Sequence, residues 1–272
     1  MIHLAAMTSI FPDWTLDQAL PILRSCGYTG LEARVEWGHR SGIEANLSPA
    51  ERAEVRRKVE DQGLQLCAVA TSVRSAVADA TERSRQMESL RRYIDLAADL
   101  GAKCVRTFGG ERPQGVELKY VIDYVAEAYA SVVGYAGERG VTVLMETHDY
   151  WSHSSEVRAV AEQVNHPSFG VLWDIMHPER MFERPEETFA NIGRFTCHVH
   201  AHDGIYPGDG RSVQIVPLGE GVFDHATPLS LLSQAGFDGF VSVEVIHEPG
   251  SDHDAEGVLR QYAEALRRLL PA

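Results

Sequence analysis

The chain is short of everything that would make it a disulfide scaffold, a membrane protein or a nucleic-acid binder. Cysteine occurs only four times in 272 residues, at Cys26, Cys67, Cys104 and Cys197, with no C-x-x-C pair. Widely spaced, three of them inside apolar strand-like runs, they read as reduced, buried thiols of a cytoplasmic protein. No apolar run approaches the roughly 18 residues that a membrane-spanning helix needs. The opening MIHLAAMTSIFPDW has no basic region ahead of its short apolar stretch, so it reads as a first strand and not a leader. Positive charge is scarce as well: 25 Lys and Arg against 39 Asp and Glu leave a net charge of −14. Such a surface repels phosphate backbones. The basic clusters, Arg56-Arg57-Lys58 and Arg267-Arg268, sit among acids on helical patterns and read as solvated faces. Neither nucleic acid nor a membrane is expected as a partner. Low-complexity tracts, repeats and internal linkers are missing too, so residues 1–272 are read as one domain.

What is present is a regular alternation. Strand candidates run over 2–7, 30–35, 64–70, 103–108, 141–147, 169–174, 195–201 and 240–246. Between and after them lie helical patterns near 15–26, 49–62, 81–100, 116–139, 154–164, 185–193, 226–235 and 254–270. Glycine repeatedly precedes a strand, as in QGLQL, LGAKCV and RGVTVL, which suits a helix ending in a left-handed cap. Eight βα units without a linker predict an α/β fold, a single (β/α)8 TIM barrel. The rival, a doubly wound open sheet, usually carries a glycine-rich phosphate loop after strand 1. TSIFPDW stands there instead.

In such a barrel the chemistry gathers at the C-terminal ends of the strands. Those ends carry Glu146 on strand 5, Asp174 on strand 6, His198, His200 and His202 on strand 7, and Glu244 on strand 8. In GVLWDIMHP an apolar run ends in Asp174, His177 follows three residues later, and Pro178 is expected to stop the element. Three carboxylates in one confined mouth repel one another, and a divalent cation removes the conflict. Carboxylate and imidazole ligands with open positions suit Mn²⁺, Co²⁺, Mg²⁺ or Zn²⁺. The competing explanation pairs each acid with an arginine across the barrel, Arg34 and Arg106 being available. The three histidines share one face, with successive members ~7 Å apart, so they cannot all bind one ion, and periodicity does not choose between them. Trp14, Trp37 and Trp151 each follow a strand on the mouth side, where they either cover a ligand or pack the loops.

VLMETH, GVLWDIMHP, HVHAHDG, VPLGEGVFD and GFVSVEV, in this order and spacing, resemble the xylose isomerase-like TIM-barrel superfamily. That group holds the sugar-phosphate isomerases and epimerases and inosose isomerase, and is related to endonuclease IV. The resemblance implies one divalent ion held by Glu146, Asp174, His200 and Glu244. It implies His177 as a substrate contact, and we group Arg106, His148 and His202 with it. It further implies isomerisation or epimerisation of a ketose- or inosose-type sugar through a cis-enediolate, with Glu146 and Glu244 as acid and base. Two positions depart from the pattern. The lysine after the ligand histidine is His202 here, and the epimerase-type arginine six residues beyond it is Tyr206.

Three other functions compete with this one. Loss of a β-hydroxyl from the same intermediate would make the protein a dehydratase, a lyase acting on an inosose- or dehydroshikimate-like ketone. An endonuclease IV-like hydrolase needs further ligands just before LGEG, where Val213 and Ile215 stand, and strands 3 and 4 end in AVATS and RTFGG without histidine. A non-catalytic sugar-binding protein fits poorly with a complete ligand set. The expected partner is a small polyol or keto-sugar. A phosphorylated one is disfavoured because no glycine-rich or basic cradle follows strands 7 or 8. A homo-oligomer is permitted but not specified.

Overall fold

The apolar runs do close on themselves. The computed structural model describes residues 1–208 and 212–270. The elements, in chain order, are β1 (Ile2–Met7), α1 (Leu16–Cys26), β2 (Gly30–Arg34), α2 (Pro49–Asp61), β3 (Gln65–Arg74), α3 (Ala80–Leu100), β4 (Cys104–Phe108), α4 (Leu118–Glu138), β5 (Thr142–Glu146) and α5 (Ser154–Val164). After them come β6 (Phe169–Asp174), α6 (Met176–Arg180), α7 (Pro185–Ile192), β7 (Thr196–Ala201), β8 (Asp203–Ile205), β9 (Gln214–Val216), α8 (Ala226–Gln234), β10 (Gly239–Val243) and α9 (Ala255–Leu269). Eight parallel strands form a closed barrel in the order β1-β10-β7-β6-β5-β4-β3-β2, so β10 is its eighth strand. The short strands β8 and β9 pair separately as an antiparallel ribbon after β7.

Local chemistry sets the boundaries. Ser48 caps α2 in a reciprocal capping box with Glu51, and Pro49 begins the helix. Asp79 and Asp254 accept the Glu82 and Gly257 N–H groups at 2.8 Å each, which starts α3 and α9. Gly27 and Gly101 end α1 and α3 with φ of +80°, a left-handed conformation that a Cβ disfavours. The cluster Arg56-Arg57-Lys58 is surrounded by acids: Arg56 pairs with Glu60, Arg57 with Glu54 and Asp61, and Lys58 with Asp17. No helix among the described residues is long and apolar enough to cross a membrane.

The core has two parts. The larger lies between the strands and the helix ring. The smaller fills the barrel itself and is only a plug of Ala5, Cys67, Ala68, Cys104, Leu144, Leu172 and Phe240. Strand side chains alternate, so two residues above that plug, on the same inward face, stand Arg106, Glu146, Asp174 and Ser242. The barrel interior therefore changes from apolar to ionic within one pleat.

Three expectations need correction. Pro178 does not stop the element; it lies in the first turn of α6, where proline lacks only an N–H that has no partner anyway. Strand β3 continues to Arg74, past the expected end at residue 70. Cys197 is exposed, whereas Cys26, Cys67 and Cys104 are buried: it is out of phase with His198 and His200 on β7 and so faces away from the barrel axis.

Candidate metal centre

Glu146, Asp174, His200 and Glu244 come together from β5, β6, β7 and the residue after β10. One donor atom from each lies within 4.8 Å of all the others, and all four are buried. Register explains the convergence: Asp174 pairs with His200 across β6 and β7, and the Glu244 N–H donates to the Ala201 carbonyl at 3.2 Å.

His200 sits at the centre. Its Nδ1 is 3.2 Å from Glu146 Oε1 and 3.3 Å from Glu244 Oε2. Its Nε2 is 3.1 Å from both oxygens of Glu32. Burial by itself would depress this imidazole, but Glu32, Glu244 and Glu146 outweigh it and hold His200 well above its ordinary range. The carboxylates respond in kind. Burial pushes Glu32 up, yet His200 and His198 bring it well below the usual range. Burial likewise opposes ionisation of Glu244, and His200 overrides it to about 2.

Asp174 is held differently. Its Oδ1 accepts the backbone N–H groups of Met176 at 2.9 Å and His177 at 3.3 Å, so the carboxylate organises the first turn of α6. Its own N–H donates to Thr147 Oγ1 at 3.0 Å. Its Oδ2 lies 2.9 Å from His202 Nε2 and 3.8 Å from His177 Nε2. Burial notwithstanding, His202 and His177 keep Asp174 far below the carboxylate range. Glu146 Oε2 accepts no hydrogen bond, and Arg106 Nε stands 3.3 Å from it. A buried carboxylate oxygen without a hydrogen bond is expensive, and so are three buried carboxylates side by side. A divalent ion meets that need, and these donors suit one.

Arginine pairing does not account for the cluster. Arg106 does approach two acids, with Nε 3.3 Å from Glu146 and Nη2 3.9 Å from Glu244. Arg34 instead faces Glu36 at 3.6 Å, and Asp174 has only imidazoles around it.

The remaining sequence-predicted residues divide clearly. His177, His148, Arg106 and His202 all line one cavity of about 550 Å³ at the mouth, together with Glu244. His148 and His177 also line an adjoining space of about 750 Å³ with Tyr206. His177 is pushed down to about 4, mainly by burial and despite Asp174, so it is neutral at physiological pH. The Arg180 Nη1 donates to its Nδ1 at 3.4 Å, which leaves the proton on Nε2. For both His148 and His202 burial is the largest influence and works against protonation; Asp149 and Asp174 respectively reverse it, and both imidazoles are raised. His198 lies below the site, 3.0 Å from Glu32.

Of the tryptophans, only Trp37 faces the mouth cavity. Trp151 is 1% exposed and donates from Nε1 to the Gly110 carbonyl at 3.0 Å, and Trp14 stacks on Phe11 against the core. Two residues escaped the sequence reading. Glu32 orients two histidines from the opposite wall; the available signal was a lone acid inside the strand GLEARV. Asp203 accepts N–H groups from Gly204, Gly219, Gly221 and Phe223 at 2.8–3.4 Å and so ties HDG to LGEG. A Cβ on Gly221 would collide with that carboxylate.

The profile of the family described as xylose isomerase-like TIM barrel matches residues 20–269. L-ribulose-5-phosphate 3-epimerase UlaE of Escherichia coli (strain K12) is 24% identical over 246 residues, 88% of this chain and 85% of that protein. A crystal structure of the IolI protein with a bound zinc atom superposes with a TM-score of 0.84 at 17% identity, covering 99% of this chain and 98% of the other. The probable 3-DHS dehydratase AsbF from Bacillus anthracis gives 0.79 at 16% identity, covering 98% and 99%.

Proposed function

Since this chain belongs to the xylose isomerase-like TIM-barrel family, we propose that it is a divalent-metal-dependent sugar isomerase or epimerase working through a cis-enediolate. The observation that carries the reading is the set of four convergent buried donors, with Glu146 Oε2 accepting no hydrogen bond. Glu146, Asp174, His200 and Glu244 would hold the ion. When bound, it supplies a Lewis acid for the carbonyl and hydroxyl oxygens of the substrate.

The chain's own residues do the rest. Glu146 and Glu244 flank His200 Nδ1; Glu244 lines the mouth cavity, and this reading needs a substrate carbon seated deep enough to meet the buried Glu146 as well. One takes the proton next to the carbonyl and the other, or the same one, returns it. Return to the opposite face is epimerisation; return to the neighbouring carbon is isomerisation. Arg106 spans both glutamates and balances the negative charge that builds as the proton leaves. His177, neutral with its proton on Nε2, donates to a substrate oxygen. The likeness to UlaE and the zinc-bound IolI protein supports this class.

A second reading has its own support. His148 and His202, both held above the ordinary imidazole range, line the same cavity. Either could protonate a departing β-hydroxyl, which would make the reaction a dehydration of an inosose- or dehydroshikimate-like ketone. The ultraviolet absorbance of a conjugated enone product separates the two.

The shared step is tested in deuterium oxide with a panel of ketopentoses, L-ribulose 5-phosphate, inososes and hydroxypyruvate. Deuterium should enter the turned-over compound at the carbon next to the carbonyl. Glu244→Gln should cut that exchange by orders of magnitude while retaining part of the metal. Full activity in both Glu146→Gln and Glu244→Gln would overturn the assignment.

A further inference from the structure

The mouth is divided by charge. The candidate metal ligands come from β5, β6, β7 and the end of β10. The opposite half, β2 to β4, ends in Arg34, Arg74 and Arg106. The cavity above them is lined by four arginines, these three and Arg180 of α6, but by only two carboxylates, Asp149 and Glu244. Glu244 belongs to the metal site, and Asp149 is 2.9 Å from His148. In a chain of net charge −14, this concentration of guanidinium groups around one cavity is the reverse of the surface average.

Arg34 is the built part of this wall. It is 3% exposed. Its Nη1 donates to the carbonyls of Val35 at 2.6 Å and Ala70 at 3.1 Å, and its Nη2 donates to Ser72 Oγ. Trp37 lies flat against it, 4.0 Å from ring centre to Cζ. The guanidinium is therefore fixed, yet its Nε is buried with no partner. Its ion-pair partner, Glu36 at 3.6 Å, is shared with the Ser72 N–H and the Tyr93 hydroxyl. Arg74 on the rim, and Arg180, form no ion pair among the described residues. A neutral polyol would leave the guanidinium groups of Arg74 and Arg180 without a counter-charge beside the cavity. A carboxylate or phosphate can accept a single charge-assisted hydrogen bond from the open Arg34 Nε, and Arg74, which has no ion pair among the described residues, can present its guanidinium fork.

We propose that the substrate of this site carries an anionic group, a carboxylate or a phosphate, at the end remote from its hydroxy-carbonyl unit, and that Arg34 and Arg74 receive it. This rests on the isomerase reading for the metal half of the mouth and adds the substrate class. It also revises the expectation drawn from strands 7 and 8. Part of the loop after strand 7, residues 209–211, lies outside the described residues; among the described residues the anion-binding groups come from β2 and β3. Burial, and then Arg106, depress Arg34 to about 10, a penalty that an anion in the cavity would relieve.

The test is isothermal titration with erythritol, erythronate and erythritol 4-phosphate, on protein stripped with EDTA and on the same protein reloaded with Mn²⁺. In both forms the preferred anion should bind about tenfold or more tighter than erythritol, the factor that one charge-assisted hydrogen bond supplies. Whether erythronate or erythritol 4-phosphate is preferred identifies the anion. The advantage should largely vanish in Arg34→Gln and shrink in Arg74→Gln. Arg74 is exposed, so that variant keeps the fold even if Arg34→Gln does not. Equal binding of all three probes, or an anion advantage that survives in Arg74→Gln and in folded Arg34→Gln, would overturn the proposal. The stripped protein separates the two readings. An anion advantage without Mn²⁺ uptake fails only the metal-dependent function, and Mn²⁺ uptake without an anion advantage fails only this inference.

Discussion

Glu32 holds His200 by the nitrogen that points away from the candidate ligands: Nε2 lies 3.1 Å from both carboxylate oxygens. That contact fixes which ring nitrogen faces Glu146 and Glu244. A histidine that binds a metal commonly gives its other N–H to a carboxylate, which sets the tautomer and raises its basicity. Glu32→Gln keeps the shape and removes the charge. Metal affinity should fall roughly 10- to 100-fold although no ligand has been touched. Competition with a chromophoric chelator reads this directly, and an unchanged affinity would mean that Glu32 serves only the packing of His198 and His200.

A second expectation follows from the same imidazole. In the metal-free protein His200 is held well above its ordinary value by Glu32, Glu244 and Glu146, against the effect of burial. It therefore carries a proton on Nδ1 at neutral pH, and metal binding should release about one proton. Titrations in two buffers of different ionisation enthalpy measure the number. No release would mean that His200 is already neutral.

Stability of the metal-free protein should follow the signs of these shifts. His200, raised in the fold, contributes stability that is complete below its unfolded value near ~6.5 and lost as pH rises through its folded value. Glu32 and Glu244, depressed in the fold, contribute above ~4.3 and are lost as pH falls toward their folded values. Thermal midpoints recorded with EDTA across pH 3 to 10 should decline on both sides, and metal should protect the alkaline side more, because the ion replaces the proton that His200 loses. A midpoint flat from pH 3 to 5 would contradict the acid half.

The barrel and three strand-end carboxylates were legible in the sequence because both follow from periodicity, whereas His200 was singled out from its two neighbours only by the resemblance of HVHAHDG. A parallel strand buried on both faces reads as a continuous apolar run, and Glu146, Asp174 and Glu244 interrupt such runs at their ends. Glu32 interrupts one in the middle, beside a register shift between Leu31 and Glu32 against β3. Its partners are 166 and 168 positions away in the chain, and nothing local marks it. The arginine half of the mouth was hidden for a related reason. Arg34, Arg74 and Arg106 each look like an ordinary cation available to pair with an acid, and only the closed barrel shows that Arg34 and Arg74 do not pair with the strand-end acids. The β8–β9 ribbon is three residues a side, too short for a pattern to emerge from GIYPGDGRSVQIV.

The aromatic residues also separate on inspection of their partners. Trp151 is buried and hydrogen-bonded to Gly110, so Trp151→Ala should cost about 3–5 kcal/mol by cavity formation. Trp151→Phe should cost about 1 kcal/mol for the lost donor. Trp37, 41% exposed, should change stability by less than about 0.5 kcal/mol when truncated and act instead on substrate affinity. Urea denaturation of the three variants decides the matter. A destabilisation by Trp37→Ala larger than that of Trp151→Ala would reverse the assignment.

His177 tests where the metal centre ends. It shares a compact group with Asp174 and His202, and its Nε2 is 3.8 Å from Asp174 Oδ2. Geometry alone would permit it as a ligand. Two features favour a substrate contact. Its proton is kept on Nε2 by the donation from Arg180 to Nδ1, so the nitrogen nearer the site is a donor and not a lone pair. Its imidazole is depressed to about 4, so it stays neutral and does not compete with the ion electrostatically. His177→Ala should keep about one equivalent of metal per chain, as read by elemental analysis of protein purified without chelator, and lose most turnover, roughly the 10²-fold or more that a misplaced substrate costs. His177→Gln, which retains an N–H donor, should recover part of it. If metal content and turnover collapse together in His177→Ala, Asp174, His177 and His202 hold an ion of their own, and the centre is larger than the four residues assigned to it.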